Sequence, residues 1–150
     1  MPEWLSRLHS QFVLCFIDDN RWKYLVTGLG HTLTITFFAL LLGVLIGVIV
    51  ATLRSTHDKN IETMRPGLGR AVLKIANGLC NFYVTVIRGT PVVVQLLISY
   101  FVILVFIRDG VTVAAVTFGI NSGAYVAEII RGGIMSIDSG QFEAGRSLGF

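Results

Sequence analysis

Thr117, Asn121, Tyr125, Glu128 and Gly132 recur at intervals of four or three residues inside an otherwise apolar run, so a helix places them on one face. An amide, a phenol and a carboxylate are costly in hydrocarbon unless they meet partners or water, and ionisable groups at such positions mark a path for substrate or ions. The alternative is that Glu128 reaches the cytoplasmic headgroups and only anchors the helix. Gln95 and Ser99 form a smaller polar pair upstream. Arg88 reads as a snorkelling anchor.

Other chemistry finds little support. Cys15 and Cys80 are far apart in the chain, and His9, His31 and His57 are scattered, so no metal-ligand spacing arises. There is no phosphate-binding loop of the G-x-x-x-x-G-K-[ST] type and no nucleophile with a nearby base. The expectation is a chain that is not an enzyme, binds no metal or cofactor, and does not itself bind ATP.

The elements that must position the polar face are membrane helices. Of the 150 residues 53% are hydrophobic and 14% are charged, against about 25% charged in soluble domains, and the mean hydropathy is +0.72. Gly28 to Leu53 carries no Asp, Glu, Lys or Arg and is closed by Arg54. At about 1.5 Å per residue it exceeds a hydrocarbon core of about 30 Å. A second run lies between Arg88 and Arg108 and a third between Asp109 and Glu128. Both are near the lower limit for a span, and the third has room to continue through Ile129 and Ile130. The pair Arg108-Asp109 between them predicts a tight hairpin.

Within the first run Thr32, Thr36, Ala39, Gly43, Gly47 and Ala51 make a stripe of small residues that lets another helix approach closely. Residues 1–27 hold Trp4, Leu5, Leu8, Phe12, Leu14, Phe16 and Trp22, which predicts a helix lying at the membrane interface. Between the first two runs, His57 to Gly69 is polar with a Pro66-Gly67 breaker. Ala71 to Ile87 reads either as an elbow helix or as the lower half of a long helix interrupted at Gly89 and Pro91. Eight Lys and Arg fall in the 54–88 connection and after the third run, against four on the other side. The basic excess predicts an outside N-terminus and a cytoplasmic C-terminus, with Cys15 and Cys80 on opposite sides. The net charge of +3 is then a topology signal, and no nucleic-acid motif accompanies it.

Three strings carry a resemblance: GLGHTLTITFFALLLGVLIGVIVATLR, YVTVIRGTPVVVQLLISYF and NSGAYVAEIIRGGIMSIDSGQFEAGRSLG. Together they resemble the permease subunits of bacterial ABC importers for polar amino acids. The last segment, QFEAGRSLG, is similar to the E-A-A-x-x-x-G loop with which these permeases meet their ATPase, departing from it at Gly145 where alanine is usual. The resemblance implies a cytoplasmic coupling helix using Gln141, Glu143, Ala144, Gly145 and Gly149. The residue types suit one: Asp138 caps, with Gln141 three positions on, and Gly149 ends the helix.

The reading is an all-α membrane protein: an interfacial segment over 1–27, then a transmembrane domain over 28–150 with three spans and the start of the coupling helix. The resemblance implies a cytoplasmic ATP-binding subunit, a second permease subunit, an extracytoplasmic amino-acid-binding protein and surrounding lipid as partners. It also implies a bacterial inner-membrane location and alternating access. Gln95, Asn121, Tyr125 and Glu128 are the candidate path residues. Family members continue beyond the coupling loop, so the expectation is either a fragment or a truncated product that inserts but does not transport alone. The competing reading is a structural membrane protein whose helices pack through the glycine stripe.

Overall fold

The computed structural model describes residues 3–17 and 20–149, and every regular element among them is helical. Helix α1 spans Glu3–Phe12 and runs into a π-helical turn at Val13–Ile17. Trp4, Leu8, Phe12 and Phe16 share one face and are exposed, with the Phe12 and Phe16 rings stacked at 4.8 Å. This is the amphipathic pattern expected of the N-terminal segment.

Helix α2 spans Trp22–Asn60, 39 residues, or about 58 Å. It is longer at both ends than the apolar run Gly28 to Leu53. The polar connection expected after Arg54 therefore starts as helix. No Gly or Pro intervenes between Arg54 and Asn60, and this last stretch is tied to another helix by ion pairs described below. Inside α2 the hydroxyls of Thr27, Thr32, Thr34 and Thr52 donate to the carbonyls four residues back at 2.8–2.9 Å. Each hydroxyl is thereby satisfied without water.

After the Pro66-Gly67 breaker, α3 spans Leu68–Gly89. Thr90 is extended, as a residue before proline tends to be, and α4 starts beyond Pro91 at Val92–Ile98, continuing into a π-helical turn at Ser99–Ile103. The two halves are bent by 107°. The interruption at Gly89 and Pro91 is present, and the 107° bend there is compatible with either reading of Ala71 to Ile87, an elbow helix or half of one broken span. The second run is correspondingly shorter than its sequence suggested: helix covers only residues 92–103, about 18 Å of rise. Leu104 to Asp109 completes the connection, so the tight turn is wider than Arg108-Asp109 alone.

Helix α5 spans Gly110–Met135. The Asp109 carboxylate caps it, accepting from the amides of Val111 at 3.3 Å and Thr112 at 2.9 Å. Glu128 therefore lies well inside a helix that runs seven residues further. Helix α6 follows at Ser139–Ser147.

The core is the seam between α2 and α5. Along it Leu42 meets Gly119, Gly43 meets Ser122, Ile46 meets Gly123 and Gly47 meets Val126, so the two helices run parallel. Of the predicted small-residue stripe, Ala39, Gly43, Gly47 and Ala51 are buried here. Helix α3 closes one side with Val84, which packs with Val50, Ala124 and Ala127. Most large apolar side chains, Phe37, Leu40, Val93 and Ile129 among them, face outward, as they do where lipid or another helix is the solvent. Among the described residues two helices, α2 and α5, are long and apolar enough to cross a membrane, and the bent pair α3–α4 makes three if it acts as one span.

Candidate functional site

The polar face of α5 meets the bend between α3 and α4, and proline chemistry explains how. A helix continuing through residue 91 would donate its N–H to the Ile87 carbonyl; Pro91 has none, so that acceptor is left open. The Gln95 side-chain amide fills it. Its Nε2 donates to the Ile87 carbonyl at 2.7 Å and to the Thr90 carbonyl and hydroxyl at 3.1 and 2.6 Å. The Thr90 hydroxyl in turn donates to the Val86 carbonyl at 2.9 Å. On its other side the Gln95 Oε1 accepts from Asn121 Nδ2 at 3.0 Å. One glutamine thus repairs the helix break and ties it to α5. Tyr83 adds a second tie, its hydroxyl donating to the Ile120 carbonyl at 2.6 Å.

One to two turns further along α5 the polar face becomes ionic. The Glu128 carboxylate pairs with arginines from three helices. Its Oε1 takes Arg54 of α2 and the Nε of Arg131 of α5, the latter at 3.3 Å. Its Oε2 takes Arg88 at the end of α3, at 3.4 Å. Arg131 also reaches Asp58 of α2 at 2.9 Å, and Arg54 reaches the Asn81 side chain at 3.2 Å. The Arg88 guanidinium lies 5.4 Å from the centre of the Tyr125 ring, within cation–π range.

The four candidate path residues are therefore joined in two linked sets, Gln95 with Asn121 and Tyr125 with Glu128 through Arg88. Asn121 and Tyr125 also line a groove of about 680 Å³ between α2 and α5, together with Thr32, Thr36 and Ser122. Thr117, on the same predicted stripe, is buried instead and donates to the Val113 carbonyl at 2.8 Å. Arg54 and Arg131 were not singled out from the sequence as partners of Glu128, nor Asn81 and Asp58 as the further partners of those arginines. The available signal was that arginines stand at the ends of all three apolar runs while acids are few.

The Asp138 side chain caps α6 by accepting from the Gly140 amide at 2.8 Å, while Gln141 takes part through its backbone N–H to the Asp138 carbonyl at 3.1 Å. Leu148 closes the last turn and Gly149 follows with φ of 88°, the left-handed conformation that glycine adopts most easily after a helix. Gln141, Glu143 and Ala144 are exposed and Gly145 is half-buried. A Cβ on Gly145 would meet nothing within 4 Å, so alanine would fit there.

Comparison with known proteins places this geometry in context. Residues 67–150 match the model of the binding-protein-dependent transport system inner membrane component. The chain is 39% identical over 128 residues to the putative glutamine transport system permease protein GlnP of Rickettsia typhi, covering 83% of this chain and 52% of that protein. It is 37% identical over 129 residues to the arginine transport system permease protein ArtQ of Bacillus subtilis, covering 84% and 52%. With the L-cystine transport system permease protein TcyB of Bacillus subtilis it shares 31% over 135 residues, covering 89% and 51%. The crystal structure of an amino acid ABC transporter with histidines superposes with a TM-score of 0.63 at 38% identity, over 83% of this chain and 52% of that one. The chain spans about half the length of these relatives. By the match over more than half of its residues, this chain belongs to the family of binding-protein-dependent transport system inner membrane components.

Proposed function

We propose that the chain forms part of the membrane path of an ATP-driven importer of polar amino acids. The observation that carries this reading is the polar seam Gln95–Asn121 and Arg88–Tyr125–Glu128, set between membrane-length helices and beside an open groove. Polar and ionisable groups gathered on one face of an otherwise apolar helix bundle mark a path for a polar cargo. The relatives named for glutamine, arginine and cystine differ in side-chain charge, so the chemistry common to their cargoes is the α-amino and α-carboxyl pair.

In this reading residues 1–27 lie at the outer interface and residues 28–150 belong to the transmembrane domain. The parallel course of α2 and α5 supports the assignment of three spans, because the chain between two helices crossing in the same direction must return, and α3–α4 is the segment available. With the basic excess it also supports an outside N-terminus and a cytoplasmic α6. Helix α6, with Gln141, Glu143, Ala144, Gly145 and Gly149, is then the docking element for an ATP-binding subunit, which hydrolyses the nucleotide. A second permease subunit covers part of the exposed apolar surface, lipid covers the rest, and an extracytoplasmic binding protein delivers the amino acid. Movement of α6 tilts α5 and opens the path alternately to either side.

The test is uptake into vesicles holding the chain in its complete assembly with ATP-binding subunit and binding protein. ATP-dependent accumulation of labelled glutamine, arginine or cystine is expected. Correct assembly and ATP hydrolysis without accumulation of any polar amino acid would refute the reading.

A further inference from the structure

Among the described residues the ion cluster around Glu128 holds Arg54, Arg88 and Arg131 against the carboxylates of Glu128 and Asp58, with His57 also on Asp58 at 3.3 Å, so arginines outnumber carboxylates. Geometry distinguishes the three. Arg54 and Arg131 share the Glu128 Oε1, are mostly buried, and each has a further partner in Asn81 or Asp58. Arg88 alone takes Oε2, at 3.4 Å, and its side chain is 43% exposed against 12% for Arg54 and 28% for Arg131. It also has somewhere else to go, because the Tyr125 ring already lies beneath it. If Arg88 leaves, Glu128 keeps two arginines; if Arg54 leaves, a mostly buried carboxylate loses its most buried partner. Arg88 also stands next to Gly89, the last residue of α3 before the 107° bend. Its pairing with Glu128 therefore adds a tie between the end of α3 and α5, beside the Gln95–Asn121 and Tyr83–Ile120 bonds.

We propose that Arg88 is an exchangeable positioning residue, a latch that holds the α3–α4 bend against α5 through Glu128 and must leave Glu128 for the path to open. Arg54 and Arg131 are the permanent frame that keeps Glu128 charged and in place while the latch exchanges. The proposal rests on the transport reading above for its consequence, but the exchange itself is a property of the helix bundle. Only the short segment Ser136 to Asp138 separates α5 from α6, so a pull on α6 reaches the helix that carries Glu128.

The experiment uses the complete assembly in lipid nanodiscs with spin labels at the exposed positions Val93 of α4 and Ile129 of α5. Wild type should show one label distance at rest and a second when trapped with an ATP analogue. Arg88→Gln should show the second distance without nucleotide. Its substrate-independent ATP hydrolysis should rise about fivefold, the lower range of coupling between two sites, and uptake per ATP should fall. Arg88→Lys, which keeps the charge, should restore the resting distance and most of the coupling. A resting distance and basal hydrolysis unchanged in Arg88→Gln would overturn the latch. So would a raised KM for uptake at unchanged kcat, which would make Arg88 a ligand for the cargo, or a failure of Arg88→Gln to assemble, which would make it structural. Absence of uptake in wild type with the distances behaving as described would count against the transport reading and leave the latch standing.

Discussion

Gly47 of α2 and Val126 of α5 approach so closely that a Cβ on residue 47 would stand 2.5 Å from the Val126 Cγ1. The same holds on both helices: a Cβ on Gly43 would be 2.9 Å from that of Ser122, and one on Gly119 2.7 Å from the Leu42 Cδ2. Gly47→Val is expected to destabilise the bundle by about 1–3 kcal/mol through overpacking. Gly28→Ala, where nothing lies within 4 Å, should be neutral or stabilising by up to about 1 kcal/mol. Thermal unfolding in detergent compares the two. Equal midpoints would show that the seam is not the core.

The α2 half of this seam was legible in the sequence, because small residues at helical spacing in an apolar run have few other uses. The break at Gly89 and Pro91 was legible only as one of two alternatives. Apolarity is similar on both sides of it, and what decides the bend is a single missing N–H. The role of Gln95 was out of reach for the same reason, since its main acceptor is a backbone carbonyl that any residue at position 87 would supply. Ion pairs such as Arg54 with Glu128, 74 positions apart, follow from how α2 and α5 align, which composition does not encode.

Gln95→Leu should loosen the bend, since it leaves the Ile87 carbonyl and the Asn121 amide without their partner. Each lost interhelical bond in a membrane protein weighs about 0.6 kcal/mol and at most about 2, and the open carbonyl adds to that. Hydrogen exchange of the amides from Val92 to Ile98 should speed up, while those of Gly43 to Ala51 keep their protection. Unchanged exchange across the bend would remove Gln95 as its support.

Asn121→Leu and Glu128→Leu separate the two parts of the polar seam. The first removes one hydrogen bond and should lower uptake with little loss of stability. The second leaves three arginines with Asp58 alone; because these side chains are only partly buried the cost falls below the roughly 3–5 kcal/mol of a fully buried pair, and both uptake and thermal midpoint should fall. Membrane insertion should survive in both, because each helix satisfies its own backbone. Normal uptake in both variants would return these side chains to an anchoring role.

The proposed topology is checked by single cysteines at Ser10 and Asn60 after replacing Cys15 and Cys80. Both positions are exposed on their helices. An impermeant thiol reagent applied to intact cells should label residue 10 and spare residue 60. The reverse pattern would invert the orientation and place α6 outside, where no ATP-binding subunit could reach it.

Asp109 gives the start of α5 a pH dependence whose sign follows from its bonds. The Thr112 hydroxyl, then the Thr112 amide and the Val111 amide, all donate to the Asp109 carboxylate, and they hold its pKa below the ordinary value of 3.8. Bonds to the ionised form favour it in the folded chain relative to the unfolded one. The cap therefore contributes its full stabilisation above the unfolded value, and that contribution is lost as pH falls through the lower, folded value. Near neutral pH the helix start is fully capped. The amide resonances of Val111 and Thr112, followed by NMR in micelles during an acid titration, should shift together with a midpoint below 3.8. Asp109→Asn should abolish the titration yet keep most of the cap, since asparagine is comparably good at that position. Asp109→Ala should lose both the titration and the helical shifts of the first turn. A midpoint at or above the ordinary aspartate value would mean that the carboxylate is not bonded to the helix start, and the turn from Leu104 to Asp109 would need another explanation for where α5 begins.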